Sequence, residues 1–182
     1  MRLIECADKE AWLNERRAGI GGSDAPAILR LSRFSNPVEL FNEKLGLVEP
    51  KPQSEAAKWG VRLEPVIRFA FEAESGLNVP YYGPHVIAVN DNLPWQRFSP
   101  DGFTDHPEHG RSVVQIKMTH SANQQDWENG PPPDVVAQVQ HEMMVADVNH
   151  GIAVALFGNQ KLEWFSLFAD QAFRENLLRE EL

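Results

Sequence analysis

Ser99-Pro100-Asp101-Gly102, followed after a short polar turn by Val113-Val114-Gln115-Ile116-Lys117, is the stretch on which the fold of this chain turns. Two adjacent strands here set an acidic residue beside a lysine at the edge of a sheet. Side chains alternate along a strand, so Val113, Gln115, Lys117 and Thr119 share one face and Val114, Ile116 and Met118 the other. The wholly apolar face is expected to meet the core. Gln115 and Lys117, about 6.6 Å apart at ~3.3 Å per residue, then point together toward Asp101, as a compact site for a divalent cation and a phosphate requires.

Outward from this centre, the flanking segments alternate between helix and strand signals. Asp8 caps a helix with Glu10 in its first turn, and Asn36-Pro37-Val38-Glu39 is a second helix start. Residues 47–55 are polar and proline-bearing and read as a mobile surface loop. A longer helix spans 56–75 and is closed by Gly76. Its apolar stripe comprises Trp59, Leu63, Val66, Ile67, Ala70 and Phe71. Glu64 interrupts that stripe beside Pro65, which removes a backbone donor and is expected to kink the helix. An acid so placed needs a cation partner, unless it faces solvent.

Strands are expected at 79–82, 86–89 and 95–103, with Asn90-Asp91-Asn92 turning the chain between the last two. After a loop-like stretch ending in Pro131-Pro132-Pro133, a helix from Asp134 to Ala146 carries Gln138, Gln140 and His141. A hairpin of 151–157 and 162–168 and a helix of 171–182, capped by Asp170, complete the chain. This order predicts an α/β fold: a central mixed β-sheet flanked by helices in a single domain over 1–182.

Composition narrows the class. The chain has 182 residues and one cysteine, Cys6, which fits a reducing cytoplasm and a small buried apolar role. The longest apolar run, 152–157, is far too short for a membrane span, and the N-terminus lacks the apolar core of a signal peptide. A soluble intracellular protein is expected. A net charge of −9 argues at first against nucleic acid, yet residues 1–75 hold 11 of the 17 Lys and Arg against 12 acids. His106 and His109 flank Pro107 with no Cys nearby, so solvated turn histidines are preferred to a zinc pair. The acids of the last helix, Glu175, Glu180 and Glu181, are read as conferring solubility.

Gly19-Ile20-Gly21-Gly22-Ser23-Asp24 is a glycine-rich turn running into a short helix at 25–31. Freed backbone amides and a helix N-terminus make an anion site that Arg16 and Arg17 could close with forked hydrogen bonds. The alternative is an ordinary capped turn with two solvated arginines. Phosphodiester hydrolysis needs a cation to neutralise charge on the phosphate and generate hydroxide from water. Mg²⁺ prefers oxygen ligands and keeps several waters. Glu64 and Asp101 are the candidate carboxylates, and Lys117 would orient the water or steady the phosphate.

Trp12, Arg16-Arg17, Gly19 to Asp24, Trp59-Gly60, Leu63-Glu64-Pro65, Ser99 to Gly102, Gln115-Ile116-Lys117 and Gln138-Val139-Gln140 together resemble the YqaJ-type viral recombinases. These are relatives of phage lambda exonuclease within the PD-(D/E)XK superfamily, and the matches span 12–144 in the family's order. The resemblance implies a restriction-endonuclease-like core and a Mg²⁺-dependent exonuclease, with Mn²⁺ a possible substitute. Such an enzyme degrades one strand of duplex DNA 5′→3′. It further implies a ring-shaped homotrimer that works with a single-strand annealing protein, phage or prophage encoded, in the cytoplasm of a bacterial host. By the same resemblance Glu64, Asp101, residue 115 and the Ile116 backbone carbonyl are metal ligands, and Lys117 is the catalytic lysine. Arg16, Ser23, Ser99 and Gln140 hold the terminal 5′-phosphate of a double-stranded end, with Gln138 nearby and Arg17 a second candidate.

One departure matters: the family has Glu where this chain has Gln115. An amide oxygen can still face Mg²⁺, but the site loses a negative charge and a proton acceptor. Impaired metal binding and turnover are expected, and an engineered knock-down is preferred to a natural inactive homologue. The competing readings are a module that binds DNA ends without cutting, and a single-strand endonuclease on the same core.

Overall fold

The computed structural model describes residues 1–49 and 52–182. Its elements are β1 (Arg2–Glu5), α1 (Lys9–Arg17), a 3-10 turn at Gly22–Asp24, α2 (Ala25–Ile28), α3 (Pro37–Lys44) and α4 (Glu55–Ser75). They continue with β2 (Val86–Val89), β3 (Arg97–Phe98), β4 (Gly102–His106), β5 (Gly110–Thr119), a 3-10 segment at Ser121–Trp127, α5 (Pro133–Ala146), β6 (His150–Phe157), β7 (Lys161–Phe168) and α6 (Gln171–Glu181).

Helices begin where short polar side chains offer an oxygen to the first free amides. Asp8 accepts from the amide of Ala11 at 2.9 Å, Asn36 from Val38 and Glu39 at 3.0 Å, Ser54 from Ala57 at 3.2 Å and Asp170 from Phe173 at 3.0 Å. Gly76, at φ +74°, ends α4. Among the described residues no helix is long and apolar enough to cross a membrane.

The strands form two sheets, an antiparallel β1-β2-β3 and a mixed β4-β5-β6-β7. Within the larger sheet β5 and β6 are parallel and the other pairs antiparallel. A parallel pair needs a long crossover, which α5 supplies. The larger sheet is covered on both faces. Val113, Ala153 and Ala155 pack with Val139 and Met143 of α5, while Val114, Ile116, Ile152 and Val154 pack with Ile67 and Phe71 of α4. Gly151 permits the close approach of α5, since a Cβ there would lie 2.6 Å from Val139 Cγ1.

Several expectations need correction. The predicted strand at 95–103 is two strands in different sheets, because Pro100 has no amide to donate and the ladder stops at Ser99. Residues 79–82 form no strand: the Val79 amide is taken by Glu72 Oε1 at 2.7 Å and Pro80 has none. The β1 strand, too short and charged to signal itself, pairs with β2. β5 is an interior strand, so the Val113 and Gln115 face is buried as well. Of the α4 stripe only Ile67 and Phe71 are buried, while Trp59 and Val66 are exposed. Glu181 is buried rather than a solubilising surface acid. Within the expected 47–55 loop, Pro50 and Lys51 lie outside the described residues, and Glu55 already begins α4.

Candidate active site

Ser99, Pro100 and Asp101 lie where β3 and β4 part company, so the chain carries Asp101 from one sheet to the other. The carboxylate is fixed there from β5: its Oδ2 accepts the Ile116 amide at 2.8 Å and also Gln115 Nε2. From the other side Lys117 Nζ donates to Gln138 Oε1 at 2.6 Å. Gln138 Nε2 then donates to Gln115 Oε1 at 2.8 Å and to Glu142 Oε1 at 2.9 Å. An ammonium only donates and a carboxylate only accepts, so Lys117 at one end and Asp101 at the other fix the orientation of both amides. One hydrogen-bonded line thus joins Lys117, Gln138, Gln115 and Asp101.

A cleft of about 300 Å³ opens beside this line, with Glu64, Asp101, Gln138 and Glu142 on one side. Trp12, Arg16, Ser23 and Ser99 form the other. Arg16 lies over the Trp12 ring at 4.7 Å and donates to Ser23 Oγ at 3.2 Å, while Trp12 Nε1 donates to Ser99 Oγ at 3.1 Å. A guanidinium and two hydroxyls therefore face the carboxylates across the cleft. That polarity suits a phosphate on one wall and a cation on the other.

The carboxylates disturb one another. Burial, reinforced by the charge of Asp101 and opposed by Arg68, pushes Glu64 up to about 7. Asp101 is raised to about 6 by burial, against the Ile116 hydrogen bond and the charges of Lys117 and Arg68. Glu142 is raised to about 8 by burial and by Asp101, against Gln138 and Lys117. Three acids held together out of water are what a bound cation relieves.

The donor chemistry fits Mg²⁺ or Mn²⁺, since every candidate ligand is an oxygen. Gln115 Nε2 sits between Asp101 Oδ2 and the Ile116 carbonyl oxygen, 3.3 Å from the latter, a spot where two acceptors converge on a positive group. Among the described residues no three His, Cys, Asp or Glu side chains form a metal cluster by themselves. A Mg²⁺ ion held by Glu64 and Asp101 therefore needs the Ile116 carbonyl and water as well.

The structure brings Glu64, Asp101, Gln115, Lys117, Gln138, Arg16, Ser23 and Ser99 together, but not Arg17 or Gln140. Arg17 is exposed and lines no cleft. Gln140 Nε2 donates to the Phe168 carbonyl at 2.7 Å, and its Oε1 accepts from Arg174 Nε at 3.2 Å, tying α5 to the α6 end of the chain. Residues two apart on a helix point in nearly opposite directions, so with Gln138 in the cleft Gln140 must face away. The 19–24 turn also differs from a helix-terminus anion site, for α2 has four residues and no side-chain cap. Its glycines serve close approach instead: a Cβ on Gly19 would lie 2.1 Å from the Trp95 carbonyl oxygen.

Two functional candidates escaped the sequence reading. Arg68 is buried one turn beyond Glu64, over the Tyr81 ring at 4.4 Å, with Nη1 unpartnered. Glu142 is 2% exposed and lines the cleft. Its signal was present, an acid four residues after Gln138 in an otherwise apolar helix run. His106 and His109, read as solvated, stack at 4.6 Å and pack against His150, whose ring is held at about 4 by burial first and by those neighbours second.

Comparison with known proteins adds kinship to this geometry. The sequence profile of the YqaJ-like viral recombinase domain matches residues 11–149. The uncharacterized protein YqaJ of Bacillus subtilis is 29% identical over 187 residues, covering 96% of this chain and 54% of that protein. Protein D345L of African swine fever virus is 27% identical over 119 residues, 65% of this chain and 31% of its own length. The chain thus spans about half, or less, of the curated relatives it matches. The alkaline exonuclease of Laribacter hongkongensis superposes with a TM-score of 0.74 at 18% identity, over 94% of this chain and 88% of the other. A phage-related exonuclease of Haemophilus somnus gives 0.63 at 9% identity, covering 89% of each chain. These structural likenesses establish the restriction-endonuclease-like fold.

Proposed function

Because the chain belongs to the YqaJ-like viral recombinase family, we propose that it is a Mg²⁺-dependent deoxyribonuclease that removes one strand of duplex DNA 5′→3′ from 5′-phosphorylated ends. The observation that carries this reading is the single cleft with acids and an amide-linked lysine on one wall and Arg16, Ser23 and Ser99 on the other. Arg16 is placed to grip a terminal phosphate in fork geometry, with the two hydroxyls donating beside it. Glu64, Asp101 and the Ile116 carbonyl would hold the cation. When bound, Mg²⁺ neutralises charge on the scissile phosphate and acidifies a water. Lys117, released from Gln138, would donate to that water or to a phosphate oxygen and keep it in line.

Activity in a homotrimeric ring, with Mn²⁺ as a substitute metal and a single-strand annealing protein as partner in a bacterial cytoplasm, extends the proposal by kinship. α3 and α4 expose Val38, Phe41, Leu45, Val61, Val66 and Phe69, apolar surface of the sort that contacts cover. Sedimentation at trimer mass is the expected result.

The test is a time course with 5′-phosphorylated linear duplex DNA in Mg²⁺. Mononucleotide release and loss of one strand are expected, slower on 5′-hydroxyl ends. Closed circular DNA should stay intact, since nicking would point to an endonuclease. A second reading, an end-binding module, draws on the Gln115 amide capping Asp101. It takes over if neither the chain nor its Gln115→Glu variant cuts while both bind phosphorylated ends.

A further inference from the structure

Gln115 on β5 and Glu142 on α5 both present an Oε1 to the same donor, Gln138 Nε2, at 2.8 and 2.9 Å. An amide and a carboxylate are nearly the same size and shape. A negative charge can therefore stand at either position without disturbing the hydrogen bonds of Gln138 or, behind it, Lys117.

The surroundings of Glu142 are built for that side chain. Gly22, itself buried, lies directly against it: a Cβ at that residue would be 2.6 Å from Glu142 Oε1 and 2.9 Å from Cγ. The glycine-rich turn thus makes room for this side chain in the wall of the cleft shared with Glu64 and Asp101. Among the described residues no lysine, arginine or histidine pairs with it, and its printed partner is the neutral Gln138. If an acceptor for Gln138 were all the fold required, glutamine would serve without the cost of burying a charge. A carboxylate lacking a protein cation, beside two other acids, is one that a bound cation completes.

We propose that Glu142 is the third carboxylate of the cation site, the charge absent from position 115 having moved across Gln138 from the strand to the helix. The inference rests on the nuclease reading for its reaction, but its claim on cation binding stands by itself. It also replaces the expectation of an impaired centre, which counted only the strand. Gln115 is then the neutral half of an exchanged pair, and the chain as it stands cuts DNA.

The experiment compares the parent chain, Glu142→Gln, Gln115→Glu and the exchange Gln115→Glu/Glu142→Gln. Mn²⁺ affinity is followed by electron paramagnetic resonance and DNA cleavage in Mg²⁺. Glu142→Gln keeps an oxygen for Gln138, so a merely structural role survives it, and circular dichroism verifies the fold. A loss of Mn²⁺ affinity of about tenfold to a hundredfold is expected in Glu142→Gln, with recovery to within about threefold of the parent in the exchange variant. Cleavage should fall and recover in parallel. Parent-like Mn²⁺ binding in Glu142→Gln, or an exchange variant no better than Glu142→Gln, overturns the proposal. So does a parent that binds no Mn²⁺ while Gln115→Glu does. If Mn²⁺ affinity follows the expected pattern while no variant cuts DNA, the nuclease reading fails and the cation assignment stands.

Discussion

Glu142 and Glu181 are both buried carboxylates packed against α5, and their company could hardly differ more. Glu181 receives Gln96 Nε2 at 2.6 Å and faces His141 Nδ1 at 2.6 Å, while the other ring nitrogen of His141 meets the Arg97 carbonyl oxygen at 3.0 Å. Glu142, the next residue along the helix from His141, has one amide donor and two neighbouring acids. Consecutive helix positions point about 100° apart. One residue therefore serves the join between α5, α6 and β3, and the next serves the cleft. An acid that holds a fold together is surrounded by donors, whereas one kept for chemistry is left short of them.

The largest test of this contrast lies on the cleft side. Lys117→Ala should lower mononucleotide release from phosphorylated duplex by about a thousandfold, with thermal unfolding near that of the parent. A comparable loss of stability would mean that the cleft network holds the fold together as well. On the other side, Glu181→Ala leaves Gln96 and His141 without their acceptor. It should cost about 3 kcal/mol and lower Tm by roughly 10 °C, read by calorimetry. Cleavage per folded molecule at 25 °C should stay within about twofold of the parent. Equal activity loss in both variants would erase the distinction.

Acidity sharpens the same comparison. Glu64, Asp101 and Glu142 have folded values raised to about 7, 6 and 8, above those of the unfolded chain at about 4. Between these limits the folded state binds more protons, so stability falls as pH rises. Metal-free protein should lose on the order of 5 °C in Tm between about pH 5 and 8.5, and Mn²⁺ should reverse the loss at the alkaline end. A metal-free Tm that rises over that range contradicts the crowding of acids in the cleft. The smallest effect concerns the facing wall. Arg16→Ala should weaken binding of 5′-phosphorylated ends about tenfold while leaving 5′-hydroxyl ends unchanged, and Arg17→Ala should do neither, as measured by fluorescence anisotropy.

Much of the centre was legible because strand alternation and proline are local rules. The Asp101, Gln115 and Lys117 grouping follows from period two on β5 and a turn of known polarity, and the break at Pro100 follows from a missing amide. The helix caps at Asp8, Asn36, Ser54 and Asp170 are equally local, each needing only an oxygen within three residues of a free amide. Gln140 was misplaced because helix phase cannot be set until one face is known to be buried. Glu142 was passed over for the same reason: an acid in a helix looks solvated until its neighbours in space are seen. Arg68 and Glu181 were hidden by the same rule, that charged residues belong outside.

By itself the sequence determined the α/β class, most of the element boundaries and the residue types of a hydrolytic centre, since caps, turns and periodicity act over a few residues. The tertiary structure alone decided which helix face meets the cleft, why Gly22 must be bare, and that Gln115 and Glu142 share one donor. Those relations join positions separated by 27 or more residues, and only packing brings such positions within hydrogen-bonding reach.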